Sequence, residues 1–531
     1  MEKTGNVNII GAGLSGLSAA ITLARIGVGS NLISSLPSER AQSVLAEGGI
    51  NAALDTMGQH DSPEEHFEDT MRGGCRLEAE SAVRNLTQHA PEIVNELVRL
   101  GVPFHADGGK LILRNFGGQK KKRTAYAKSS TGKIIMTALI DEARRYEAAG
   151  LIRRFPHHEL VDMDIRNGML YSVTVQDNFS KTGLSFSGPA ILCTGGLNGF
   201  FEGATTGTTQ NTGNAAAIAF RTGVRFSNLE MIQYHPTTTQ ISDKRMLISE
   251  AARGEGGRLF TMRNGARWYF MEEKYPELKN LMPRDVISRE IALLKENNGC
   301  TGEVFLDMTE LDRTIWDGRL SDLRAEILSY LHIDPKNTPV PVSPGIHFFM
   351  GGIQVNDRHE TGIRNLYAAG EAACKYHGAN RLGGNSLLGA IFGGRVAAES
   401  AATAAIPISI EPKELPKGID SSAAERTKLR EALLSGLGVV RTPESMERAK
   451  AAVEALTKSE GCAAIDRDRA LFGLAMIESA LLRKESRGAH YRTDYSATDE
   501  AYRRLTLAER KEGKVCVYLA PEIQAKEDTH V

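Results

Sequence analysis

The chain has 531 residues, 41% hydrophobic and 24% charged, with 53 glycines and a formal net charge of −1. That length exceeds a single ordinary core and predicts two or three domains, while the near-neutral charge excludes bulk electrostatic binding of nucleic acid or anionic membrane. Six scattered cysteines (Cys75, Cys193, Cys300, Cys374, Cys462 and Cys516) form no C-x-x-C pair, which argues against a metal or iron–sulfur site held by this chain and fits a reducing cytosol.

In chain order, Val7 to Ile10 predict a short buried strand and Leu14 onward an amphipathic helix. The turn between them, Gly11-Ala12-Gly13-Leu14-Ser15-Gly16, matches G-x-G-x-x-G. Gly11 permits the tight turn, Gly13 lets backbone approach a pyrophosphate, and Gly16 lets helix and strand pack closely. The second strand ends in Ser34-Ser35, where a ribose-binding carboxylate is usual, which argues against a standard NAD site. Ala46-Glu47-Gly48-Gly49 then offers small residues to a flat ligand. Because the first strand starts almost at Met1 and no apolar run has membrane-spanning length, a cytoplasmic protein is expected, reaching a membrane only indirectly through a partner.

Helices are expected over 78–101 and 132–149, and strands over 151–176. Lys120-Lys121-Lys122-Arg123 reads as a solvated loop rather than a nucleic-acid patch. The strand Ala190–Cys193 ends in Thr194-Gly195-Gly196, and Asn365–Glu371 is a further glycine-bounded strand. Ligands of open α/β sheets gather at such strand ends. These segments lie far apart, so the fold class expected is α/β: a Rossmann-like nucleotide-binding domain (1–224 and 346–405), interrupted by an α+β capping domain (225–345) and followed by a helical C-terminal domain (421–531). Residues 406–420 read as a proline- and charge-rich linker, 421–490 as helical, and those after Ala525 as frayed.

The capping segment concentrates the unusual polar residues. His235 precedes Pro236 and so lies on extended backbone. Ser249, Glu250 and Arg253 share one stretch, with Glu250 and Arg253 one helical turn apart if it is helical. Pro283-Arg284-Asp285 opens a helix, and His347 precedes Phe348-Phe349-Met350-Gly351-Gly352. Each alone has a structural explanation.

Taken in order, GAGLSG, AEGGI, QYHPT, SEAARGEGG, PRDV, HFFMGGI, YAAGE and HGANRLGGNSLL resemble the succinate dehydrogenase/fumarate reductase flavoprotein subunits, with L-aspartate oxidase as the close relative. The resemblance implies FAD, held by Gly11, Gly13, Leu14, Ser15, Gly16 and Ser34 on its adenine side, with Thr194, Gly195 and Asn214 also in contact. It places the flavin ring along Ala46, Gly48 and Gly49, with Glu371, Arg381, Ser386 and Leu387 opposite. A clamp for a small dicarboxylate maps onto His235, Ser249, Glu250, His347 and Arg381. The proton donor maps onto Arg284, fed by Glu250 and Arg253. An iron–sulfur subunit or soluble carrier would exchange the electrons.

Three departures from the family pattern stand out. Gln42 occupies the place of the histidine that links covalently to flavin in respiratory members, implying non-covalent FAD and favouring fumarate reduction or a soluble oxidase. Asn214 and Gly389 stand where acidic residues are common, both expected near the flavin, where they would either raise its potential or alter packing. Phe116 separates the relatives: dicarboxylate enzymes carry Phe there, whereas aspartate oxidases carry Glu, which suits an ammonium-bearing substrate. The expected activity is interconversion of fumarate and succinate; the alternatives are L-aspartate oxidation and reduction of another enoate.

Overall fold

A computed structural model describes residues 5–128, 130–242, 244–294 and 299–521. Its first layer is a parallel sheet in the order Leu366–Ala368, Ala190–Leu192, Asn6–Ile10, Gly29–Ser34 and Ile152–Pro156. Val7, Ile9, Leu32 and Ile191 are buried because helices cover this sheet, and each such side chain contributes about 1.5–3 kcal/mol. The helix Leu14–Arg25 packs on Asn385–Ala402, bringing residues nearly 400 positions apart into one nucleotide-binding unit. Gly16 is required there, since a Cβ would lie 1.9 Å from the carbonyl oxygen of Gly11.

A second, antiparallel sheet runs Ile410–Lys413, Gly183–Ser187, Met169–Asp177 and His158–Arg166. The stretch expected as a linker therefore contributes an edge strand, a position that tolerates Pro412 because an edge need not satisfy every ladder bond. The capping segment forms a six-stranded sheet around Ile232–Ile241 and Val340–Phe349, with its own core of Leu259, Trp316, Ile327 and neighbours.

The C-terminal region contains the expected helices, Ala423–Gly436, Pro443–Thr457 and Ala464–Leu482. Thr442 and Ser445 form a capping box with Pro443 at the first turn, which fixes the start of the middle helix. Beyond them the chain turns into a hairpin, Thr506–Lys511 with Lys514–Leu519, that extends the sheet containing Phe226–Ser227. Arg483 locks this junction, donating to Glu230 at 2.6 Å and Glu485 at 2.8 Å with all three side chains fully buried. The residues expected to fray after Ala525 lie outside those described.

The basic run also differs from its expectation. Lys121 donates to the carbonyl of Gln59, but Arg123 is fully buried, paired with Asp61 at 2.9 Å and Asp69 at 3.0 Å. Two carboxylates from one neighbouring segment supply what burial of a guanidinium requires.

Candidate active site

One cleft runs from the glycine turn to the capping sheet. At one end stand Gly11, Gly13, Leu14, Ser15 and Ser34; Thr194 and Gly195 close its side. Gly11 has φ +112°, and a Cβ there would fall 2.1 Å from the Cys193 carbonyl oxygen. Ala46, Gly48 and Gly49 form the middle of the cleft, facing Glu371, Ser386 and Leu387. At the far end Phe116, His235, Ser249, Glu250, Arg284, His347 and Arg381 converge.

Four expected residues do not line it. Gly16 serves the helix–strand contact described above, and Arg253 stands behind Glu250. Asn214 stands behind Glu159, a residue of the cleft wall, donating to it at 3.0 Å and accepting from Arg469 at 2.8 Å. Gly389 is likewise displaced from the flavin position expected for it: a Cβ there would meet His377 at 3.3 Å and Tyr376 at 3.4 Å. Helical geometry explains this, since Gly389 and Ala390 are adjacent on Asn385–Ala402 and only Ala390 faces the cleft.

Local backbone explains how the far end assembles. His235 lies on Ile232–Ile241, whose pairing with Val340–Phe349 shifts register between Gln233 and Tyr234 and again between His235 and Thr238. Pro236, which cannot donate to the ladder, sits within the second shift. The irregularity brings the His235 and His347 rings to 5.2 Å in an edge-to-face arrangement. Thr206 bonds His347 Nδ1 at 2.7 Å, leaving the other ring nitrogen to the cleft. Glu250 is the N-cap of a single helical turn, Ala251–Gly254, that carries Arg253, and Arg284 is the first residue of Arg284–Leu293, with Pro283 as its N-cap.

Glu250 is the hub. Its Oε2 accepts from Arg284 Nη2 at 2.6 Å and Nε at 2.9 Å, and its Oε1 accepts from the Gly117 N–H at 2.9 Å. Arg253 Nη2 stands 3.3 Å from Oε1. Burial alone would raise this carboxyl, but Arg284 and Arg253 outweigh it and hold it down at about 2. A Cβ on Gly383 would come within 3.1 Å of Glu250, Phe116 and Arg284, so only glycine permits this approach.

Gln233, which motif reading left without a role, ties the second arginine to the first. Its Oε1 accepts from Arg284 at 3.2 Å and Arg381 at 3.1 Å, while its Nε2 donates to Asn380 Oδ1 and to the Arg381 carbonyl. Arg381 also stacks on Phe348 at 4.4 Å. Burial, and then the charge of Arg284, push its guanidinium well below its ordinary value. His235 and His347 are held neutral, first by burial and then by the nearby arginines. Three arginines therefore face one ionised carboxylate, a surplus of positive charge matched to a small dianion.

The cleft also suits FAD. Its walls carry buried polar atoms without protein partners, Glu47 Oε2, Asn211 Nδ2, His235 Nε2 and Arg381 Nε, along the path from adenosine end to substrate end. Glu371 accepts from the Phe349 N–H at 3.0 Å, and burial pushes its carboxyl up to about 7. Gln42, on the cleft wall, accepts a hydrogen bond from the Thr208 N–H.

Comparison with known proteins decides the family. The profile described as FAD binding domain matches residues 6–387, and that described as Fumarate reductase flavoprotein C-term matches residues 426–526. The chain is 36% identical to the succinate dehydrogenase flavoprotein subunit of Bacillus subtilis, over 98% of this chain and 95% of that protein.

The chain belongs to the succinate dehydrogenase/fumarate reductase flavoprotein family.

This flavoprotein is thus an FAD-dependent oxidoreductase. It is also similar to the L-aspartate oxidase of Streptomyces coelicolor, at 31% identity over 93% of this chain and 89% of that one. Its fold superposes on a point mutant of the E. coli quinol fumarate reductase flavoprotein with a TM-score of 0.86, at 28% identity over 97% and 96% of the two chains. Among the described residues of the flavoprotein, no helix is long and apolar enough to cross a membrane and no His/Cys/Asp/Glu group could hold a metal ion.

Proposed function

We propose that this flavoprotein interconverts fumarate and succinate and favours fumarate reduction. The observation that carries the reading is the pair Arg284 and Arg381, joined on one amide oxygen at Gln233, with only Arg284 neutralised by Glu250.

Bound FAD supplies hydride exchange with the substrate carbons. Arg381 binds one carboxylate through its planar fork, and His235, His347 and Ser249 hold the other by hydrogen bonds. Fixing both ends lets the site twist one carboxylate out of conjugation, polarising the double bond. Arg284 hands its proton to the carbon opposite the hydride and is recharged by Arg253 through Glu250, whose two oxygens face the two guanidinium groups. The contacts of Glu250 with Gly117, and of Gln233 with Asn380, close the capping segment on the nucleotide-binding domain and exclude water.

Phe116 favours this reading over aspartate oxidation. Its buried ring packs on Gly48 and Gly383, a wall that suits bare ethylene carbons and leaves an ammonium group unpaired. Gln42 in the attachment position fits non-covalent FAD. Because the chain offers no cluster ligands among its described residues, electrons arrive from an iron–sulfur subunit or soluble carrier, and any membrane contact is made through such a partner. Steady-state oxidation of reduced viologen tests the activity: dependence on fumarate is expected, and dependence on another enoate alone would overturn the substrate assignment.

A further inference from the structure

The adenosine end of the FAD cleft contains a carboxylate in an unusual place. Dinucleotide sites of this topology place an acidic residue at the end of the second strand to accept from the ribose hydroxyls. Here Ser34 spends its hydroxyl on the Leu36 carbonyl at 2.6 Å, and Glu39 is paired with Arg144 on the surface. The four carboxylates lining the cleft, among the described residues, are Glu47, Glu159, Glu250 and Glu371. Glu47 stands at the flavin-ring turn, Glu250 is engaged by arginines, and Glu371 is held by Phe349. Only Glu159 remains for the adenosine end.

Chain geometry brings it there. Ser34 pairs with Pro156 on the neighbouring parallel strand, and the chain then turns through His157, at φ +62°, into the strand that carries Glu159. The carboxylate is oriented from one side: its Oε1 accepts from Asn214 Nδ2 at 3.0 Å and from Thr212 Oγ1 at 3.4 Å. Arg469 fixes which way the amide faces, because it donates to Asn214 Oδ1 at 2.8 Å and to the Thr212 carbonyl. An aspartate at position 214 would instead set two carboxylates about 3 Å apart, a repulsive contact. The amide at 214 and the carboxylate at 159 are therefore one paired arrangement.

We propose that Glu159, oriented by Asn214, is the carboxylate that accepts from the adenosine ribose diol of FAD, standing in for both the missing second-strand acid and an acid at position 214. The test is the rate at which FAD leaves the purified holoprotein on dilution, followed by the fluorescence of released flavin. Glu159→Gln keeps the size and an acceptor for Asn214 but removes the charge, and is expected to speed release about tenfold, the value of a charged hydrogen bond. Asn214→Asp should also speed release, through repulsion. The double variant Glu159→Gln/Asn214→Asp moves the charge by one side chain and is expected to restore retention toward the wild-type rate. Wild-type release from Glu159→Gln, or a double variant no better than the faster single one, would overturn the proposal. If Glu159→Gln does not fold, recovery of FAD-loaded protein in the double variant supports the assignment and failure to recover it refutes it.

Discussion

Gln233 and Arg284 meet at 3.2 Å across a buried contact, and the same amide oxygen accepts from Arg381 at 3.1 Å. The two Nε2 bonds of Gln233, to Asn380 and the Arg381 carbonyl, define which end of the amide is oxygen. Replacing it with Leu frees both guanidinium groups to separate. Gln233→Leu is expected to lower kcat for fumarate about 100-fold while FAD stays bound, since small misplacements of reacting groups carry costs of that size. Steady-state kinetics alongside the flavin-to-protein ratio measures this.

Arg284 is placed as proton donor, and removing it should stop the chemistry without emptying the cofactor cleft. Arg284→Ala is expected to reduce turnover by at least about 10²–10⁴-fold, the range for loss of a general acid. Retained fumarate reduction with normal flavin content would move the proton to another group.

Gln42 marks the attachment position seen from sequence, and its side chain lies on the cleft wall. Gln42→His is expected to yield some acid-stable, covalently bound flavin, read as fluorescence remaining with the denatured polypeptide. Only acid-extractable flavin would mean that position 42 does not reach the ring.

Acidification should destabilise the fold through its buried histidines. Burial chiefly pushes His66 and His377 down to about 3 and His359 to about 4, and holds His235, His347 and His490 well below their ordinary value. They stay neutral in the fold while the unfolded chain takes up protons below about pH 6.5, so their contribution is full above that pH and lost below it. Burial raises Glu371 to about 7 and Glu78 to about 8, and lifts Glu47 well above the usual range, so these groups lose stability as pH rises. Between about pH 6.5 and 4.5 these six histidines outnumber Glu47, Glu78 and Glu371, the carboxylates raised furthest. FAD-depleted protein is expected to melt at its highest temperature near pH 6.5, with Tm falling by several degrees toward pH 5 and again toward pH 8. A Tm constant from pH 6.5 to 5 would contradict this.

Much of this architecture was legible in the sequence because local rules and tertiary demands agree. GAGLSG between a buried strand and an amphipathic helix folds as its glycines require, and His235, Glu250, Arg284, His347 and Arg381 do converge. What was not legible depends on partners distant in sequence. Gln233 gains its role only when Asn380 and Arg381, 147 and 148 positions further along the chain, fold against it. Arg123 reads as part of a solvated basic run until Asp61 and Asp69 fold around it. The family resemblance sets Asn214 and Gly389 near the flavin, but a motif does not report which way a helical residue faces, and neither residue lines the cleft. The hairpin at 506–519 has modest local signal, and its position comes from pairing with Phe226–Ser227.

The central claim is that the arginine-rich end of the cleft accepts a dicarboxylate at reduced flavin. Rapid mixing of anaerobically reduced holoprotein with fumarate, followed at the flavin absorbance, tests it most directly. Fast, saturable reoxidation by fumarate, with no reduction of the oxidised protein by L-aspartate, is the predicted result. Flavin that remains reduced in fumarate but is generated from oxidised protein by L-aspartate would contradict the account and place the protein on the amino-acid oxidase branch of its family.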